Sequence, residues 1–164
     1  MHEIGHTLGL KHPFEGSLTL PVSWDSQSET IMSYSAITGN KNSIFPYYPT
    51  TPMPLDIQAI QSIYGPNNTY HNGNDNYLFN DAQTYHETIR DSGGTDWVIY
   101  TGFQDYIIDL REGNGSSIGK PVYVEYGNAT NDTQVFNVWI AYHAVIENAS
   151  GGYGNDFIKY DLNL

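Results

Sequence analysis

Apolar positions along the chain fall into two regimes. Leu55, Ile57, Ile60 and then Ile63 or Tyr64 recur near helical spacing, so residues 54–65 predict a helix with one packed face. Pro54 in the first turn and Gly65-Pro66 at the end are matching start and stop signals, and Asp56 suits the positive end of the helix dipole. Downstream the pattern shortens. Residues 97–100, 106–110, 122–126 and 135–141 are brief β-branched or aromatic runs separated by turn residues, and they predict strands. The character changes around residues 65–76, where Gly, Asn and Asp begin to interleave with the apolar runs. We place a boundary there, with one piece over residues 1–66 and a second over residues 67–164. The fold class is α+β.

The opening segment, His2-Glu3-Ile4-Gly5-His6-Thr7-Leu8-Gly9-Leu10-Lys11-His12, carries the candidate chemistry. Residues four apart on a helix share a face, so His2 and His6 can present ring nitrogens to one metal ion with Glu3 beside them as candidate base. Gly9 tolerates the left-handed conformation that ends helices, which lets His12 turn back as a third ligand. Three protein ligands leave one position for water. Zinc lowers the pKa of such a water to roughly 7, and a carboxylate that accepts its proton makes a nucleophile able to attack a polarised amide carbonyl. That chemistry is peptide hydrolysis without a covalent intermediate.

Extended through Gly9 and His12, the string resembles the metzincin pattern H-E-x-x-H-x-x-G-x-x-H. Thr30-Ile31-Met32-Ser33-Tyr34 resembles the methionine turn of that clan, a tight turn that runs beneath the metal and gives Met32 a structural role. The form Met32-Ser33-Tyr34 is similar to the serralysin family, secreted bacterial zinc metalloendopeptidases. The resemblance implies that Tyr34 is a fifth zinc ligand by position. Its phenol would swing away when substrate binds and donate a hydrogen bond to the developing oxyanion. The resemblance covers essentially the whole chain, and residues 54–65 match the helix that closes the family's protease domain.

In the second piece, Gly151-Gly152-Tyr153-Gly154-Asn155-Asp156-Phe157-Ile158 matches the calcium-binding nonapeptide G-G-x-G-x-D-x-U-x, with Gly151 and Asp156 on the turn and Ile158 pointing into a roll. The serralysin resemblance implies further calcium sites built from residues 71–79 and 91–96. His71 and Gly73 would offer carbonyls and Asp75 a carboxylate, with Asp91, Gly93 and Asp96 completing one site. Gly94, Asp96 and Glu147 would serve a second. Asp75 stands where the family usually has a threonine. Val145 stands where another threonine contributes, so it offers only its carbonyl. Oxygen ligands on Gly-rich turns suit a hard cation such as calcium. The implied architecture is the C-terminal part of a metzincin catalytic domain followed by the start of a calcium-binding parallel β-roll or β-sandwich.

Charge and cysteine content narrow the setting. The 164 residues carry a formal net charge of -12 and no cysteine. An acidic surface is repelled by nucleic acid and by anionic membranes, and without disulfides the chain relies on its core and on bound metal. No apolar run of about eighteen residues and no basic, apolar leader occurs, so membrane insertion is not expected. Serralysins are exported through a far C-terminal signal, so the resemblance implies extracellular localisation by bacterial type I export. The expected partner is a protein or peptide substrate, with the chain acting as a monomer.

Asn128-Ala129-Thr130 and Asn148-Ala149-Ser150 match glycosylation triplets, but Asn- and Thr-rich turns produce such triplets without sugar. His71, His86 and His143 lie far from the zinc motif and default to surface or satisfied core positions. The family's N-terminal lobe has no counterpart before His2, and stacked repeats usually need three or more copies. The sequence is therefore expected to be a fragment truncated at both ends. Two readings stay open: a zinc metalloendopeptidase that uses Glu3, or, as an isolated fragment, a non-catalytic calcium-binding β-roll module.

Overall fold

The computed structural model describes residues 1–126 and 129–161, with residues 129–132 described by backbone alone. The chain opens on α1 (His2–Thr7), passes a 3-10 turn at Val22–Trp24, and forms β1 (Ser43–Ile44) and α2 (Pro54–Tyr64). Ten strands follow in chain order among the described residues: β2 (Asn76–Phe79), β3 (Glu87–Ile89), β4 (Trp97–Tyr100), β5 (Ile107–Asp109), β6 (Gly115–Ser116), β7 (Val122–Tyr126), β8 (Ala129–Val135), β9 (Val138–Ile140), β10 (Asn148–Ser150) and β11 (Phe157–Lys159). The arrangement is α+β and poor in helix. No helix among the described residues is long and apolar enough to cross a membrane.

Strand pairing is parallel among the strands of three and four residues. β4 lies between β2 and β10 and pairs in parallel with both, with Val98 opposite Tyr77 and Ala149. β5 pairs in parallel with β11, and β3 with β9. β2 and β4 are neighbours although β3 separates them in sequence and lies in another sheet, so the chain winds from sheet to sheet instead of folding into hairpins. Parallel strands need cover on both faces, and their inward side chains supply it. Phe79, Val98, Tyr100, Ile108, Ile140 and Ile146 are buried in one core, with Ile158 packed against it. A separate antiparallel set, β1-β7-β8, buries Phe45, Val122 and Val124 with Ala36.

α2 forms where the helical stripe places it, and it ends at Gly65. Only the first half of the stripe packs, however. Leu55 is buried and Ile57 packs on the main core, whereas Ile63 and Tyr64 are exposed. The expected strand over residues 135–141 is broken in two. β8 ends at Val135 and β9 starts at Val138 because the buried Asn137 turns its amide to the backbone, accepting from Ile118 N and donating to the Tyr85 and Ile118 carbonyls. The Asn137 backbone stays paired as well, donating to Ser116 O and accepting from Glu87 N at 2.9 Å each. The remaining expected strands form, shorter by a residue or two at 106–110. Of the two glycosylation triplets, the one starting at Asn128 lies outside the described residues, and Asn148-Ala149-Ser150 is β10 itself.

The irregular segment between β1 and α2 is fastened to β3. Thr50 N donates to His86 O at 2.8 Å, Thr88 N donates to Thr51 Oγ1 at 2.8 Å, and His86 Nδ1 donates to Tyr47 O at 2.8 Å. His86 is fully buried between the Phe45 and Trp139 rings, whereas His71 and His143 are exposed.

Candidate metal centre

α1 is short and ends as its sequence predicts, with Gly9 at φ 91° just beyond it. The turn sends the chain back so that His12 meets the helix. His2, His6 and His12 then offer ring nitrogens that all lie within 4.8 Å of one another. Their other nitrogens are already engaged. His2 Nδ1 donates to Ile31 O at 2.7 Å, His6 Nδ1 to Leu10 O at 2.9 Å, and His12 Nδ1 to Glu15 Oε2 at 2.9 Å. A carbonyl oxygen only accepts, so Nδ1 carries the proton on His2 and His6 and each Nε2 keeps its lone pair. That is the ligand tautomer, fixed by outer partners before any metal arrives. The ring of His12 also holds the Glu15 carboxyl below its usual range, chiefly through this hydrogen bond. Glu3 is exposed beside the histidines and makes no ion pair among the described residues.

Met32 lies beneath the cluster, 1% exposed. It fits there because Gly5, the middle residue of the helix motif, has no side chain. A Cβ at Gly5 would lie 2.5 Å from the Met32 sulfur. The turn around Met32 is held by Asp56, which is 2% exposed and accepts from Thr30 Oγ1, from Ile31 N at 2.8 Å and from Met53 N at 2.9 Å. Met53 is the N-cap of α2, so one carboxylate both starts that helix and closes the turn under the histidines. Burial pushes the Asp56 carboxyl up, while these donors pull it back. Ser33 Oγ donates to Asp25 Oδ1 at 2.7 Å and Gln27 N to Ser35 O at 2.7 Å, which brackets Tyr34 from both sides. Tyr34 is half exposed, and its phenol oxygen lies 2.7 Å from His12 Nε2, the nitrogen that faces the cluster.

The residues expected to bind calcium are partly brought together. Asp75, Asp91 and Asp96 place carboxylate oxygens within 4.8 Å of one another, and Asp91 and Asp96 are fully buried. Asp96 Oδ1 accepts from Asp75 N at 2.7 Å, Asp91 Oδ1 from Gly93 N at 2.7 Å and Asp91 Oδ2 from the Tyr77 phenol at 2.7 Å. Asp96 Oδ2 is buried with no partner among the described residues. Burial raises the Asp96 carboxyl, with the neighbouring Asp91 and Glu147 charges adding to the rise, and burial with the Asp91 contact raises the Tyr77 phenol. An orphaned buried carboxylate oxygen is costly, and a hard cation fits the all-oxygen set.

The backbone around this cluster is equally constrained. Gly94, at φ 146°, lies so close to the Gly73 carbonyl that no Cβ could be placed there. His71 O accepts from Ser92 N at 3.0 Å, and His71 Nδ1 lies 3.3 Å from Asp75 Oδ1. Glu147 is exposed, and its Oε2 accepts from Asp96 N at 2.7 Å. Gly151 and Asp156 lie apart from the cluster. Asp156 Oδ1 accepts from Tyr106 N at 3.0 Å, and Gly151 packs on the same carboxyl.

Gly5, Asp25 and Glu15 support the site without appearing among the ligands expected from sequence. Gly5 carried a signal inside the motif, as a small residue facing a methionine. Asp25 and Glu15 carried none, since each acts through a partner whose position only the fold determines.

The family described as Met-zincin matches residues 1–93. The chain is 37% identical over 179 residues to a serralysin of Proteus mirabilis, a match covering 96% of this chain and 34% of that protein. It is 35% identical over 179 residues to serralysin B of Dickeya chrysanthemi, again over 96% of this chain and 34% of the relative. Metalloprotease AprA of Pseudomonas entomophila is 33% identical over 182 residues, covering 96% of the chain and 35% of its own length. The chain thus spans about a third of the length of the curated relatives it matches.

Proposed function

The chain belongs to the metzincins, a metalloprotease family, and is serralysin-like over nearly its whole length, and from that premise we propose that it acts as a zinc-dependent metalloendopeptidase on extracellular proteins. The observation that carries this reading is the set of three Nδ1 protons, two of them fixed by backbone carbonyls, which leaves three ligand nitrogens converging on one point. His2, His6 and His12 would hold the metal. When bound, zinc supplies a Lewis acid that polarises the scissile carbonyl and acidifies water at neutral pH. Glu3 takes the proton from the attacking water and returns it to the leaving amine nitrogen. Tyr34 releases its hold on His12 and donates its phenolic hydrogen to the oxygen on which charge develops. Met32 positions the histidine cluster from below.

The second cluster has a supporting role in the same reading. Asp75, Asp91 and Asp96 would hold calcium, together with carbonyls of the His71, Gly73, Gly93 and Gly94 turns and the Glu147 carboxylate. Gly151 and Asp156 would serve a separate turn. The parallel winding of β2, β4 and β10 and of β5 and β11 supports a calcium-binding β-roll beginning after residue 66. A need for calcium fits a protein that works outside the cell.

The experiment is hydrolysis of a casein-type protein by wild type and Glu3→Ala, each loaded with zinc and calcium. Loss of a general base costs about 10²–10⁴-fold in rate, so Glu3→Ala should bind zinc normally and cleave at least a hundredfold more slowly. If both proteins are equally inert while calcium still orders the chain, the peptidase reading fails and a non-catalytic calcium-binding module remains.

A further inference from the structure

Between the segments flanking the methionine turn and the C-terminal sheets lies a cavity of about 640 Å³, a size ordinary for ligand sites. Glu29 and Ile37 line it from the turn side, and Asn114, Phe136 and Trp139 line it from the other. Glu29 is half buried, and its carboxylate has no ion-pair partner among the described residues, where the pairs are His12–Glu15, His71–Asp75 and Asp109 with Arg111 and Lys159. Burial pushes its carboxyl up. A carboxylate in a half-dry cavity gains most from a cation that reaches it there. Phe136 is 44% exposed, so an aromatic ring is available at the cavity as well. A planar guanidinium suits both groups. It pairs bidentately with a carboxylate, stacks on aromatic rings and gives up its hydration more readily than an ammonium.

We propose that this cavity is a subsite for an arginine side chain of a bound peptide, ion-paired to Glu29. The proposal rests on the peptidase reading for its choice of a peptide as ligand. Glu29 precedes Tyr34 by five residues, and Ala36, Ile37 and Thr38 follow it by two to four, which limits the separation of these lining residues from Tyr34 to roughly 18 Å of extended chain. A peptide in extended form advances roughly 3.3 Å per residue, so an arginine a few residues from the scissile bond reaches Glu29. The net charge of -12 also favours approach by a cationic segment.

The test is calorimetric binding of a blocked pentapeptide with a central arginine, against the same peptide carrying neutral citrulline, to calcium-loaded, zinc-free protein. Wild type should bind the arginine peptide about tenfold more tightly than the citrulline peptide, a modest figure for a partly buried charge pair. In Glu29→Gln the two peptides should bind alike. Equal binding of both peptides by wild type, or an arginine preference that survives in Glu29→Gln, overturns the proposal. The citrulline peptide reports on each protein separately, so a variant with disturbed folding is recognised by loss of binding to both. The wild-type comparison then decides alone. Zinc is absent throughout, so the result is independent of whether Glu3 supports cleavage.

Discussion

The histidine cluster and the aspartate cluster each gather three ligand side chains within 4.8 Å, and they are held in opposite ways. Every histidine of the first has its second nitrogen committed to a carbonyl or a carboxylate, which orients each ring with its other nitrogen turned inward. The second packs two fully buried carboxylates beside a third and leaves Asp96 Oδ2 without a partner. The first is preorganised by hydrogen bonds, and the second is electrostatically incomplete without a cation. Hydrogen-bonded rings tolerate an empty site, whereas crowded buried carboxylates oppose folding. The two clusters therefore differ before any ion is considered.

Removing each metal in turn is the strongest way to break that contrast. A ligand that binds only the folded state at about 1,000 times its Kd stabilises by about 4 kcal/mol, and calcium at saturation should contribute on that scale. Its chelation should also release the amides of Asp75, Gly93 and Asp96 to hydrogen exchange, because their acceptors are carboxylates of this region. Zinc removal lowers global stability by the same mass action. It should nevertheless leave the Nδ1 protons of His2 and His6 hydrogen-bonded to Ile31 O and Leu10 O, seen as slowly exchanging imidazole NMR signals. Equal loss of local order at both clusters would erase the distinction.

A second way acts on one side only. Asp56→Ala strands the Ile31 and Met53 amides and the Thr30 hydroxyl in a buried place, at about 1–3 kcal/mol for each unsatisfied group. Urea unfolding of the calcium-loaded protein should show a loss of roughly 3 kcal/mol. Zinc affinity should fall by about 10–100-fold, as when other supporting partners of metal ligands are lost, with calcium affinity unaltered.

The smallest effect concerns the seam between the two regions. His86 is buried with Nε2 unpartnered among the described residues, and burial holds its pKa below the ordinary imidazole value of about 6.5. In the window from about 6.5 down to that lower value, the unfolded chain binds a proton that the native state refuses. The contribution of His86 is thus complete above about pH 6.5 and falls as the pH drops through the window, by at most about 1.4 kcal/mol per pH unit. Denaturation midpoints from pH 7.5 to 5 should carry this slope in wild type and lose it in His86→Gln.

The histidine cluster was legible in the sequence because its pattern is encoded at short range. His2, His6, Gly9 and His12 form one local pattern, and Met32-Ser33-Tyr34 another, and the structure gathers them as the spacing implies. Helix α2 was likewise announced by its stripe and its end signals. Its outer half misled because a periodic apolar face reports amphipathicity and cannot report where a packing partner ends, which is why Ile63 and Tyr64 stand exposed. The break at Asn137 was hidden for a related reason, since its amide acts on Ile118 and Tyr85, far away in sequence. Asp56 looked like a helix-dipole residue, and half of its work lies on Thr30 and Ile31.

That carboxylate makes the Asp56 region a fastener joining two events separated in the chain. The first turn of α2 and the turn beneath the histidines close on the same two oxygen atoms, so neither can open without loosening the other. A cut in the exposed chain between them, around Gly39, would leave both ends still clasped.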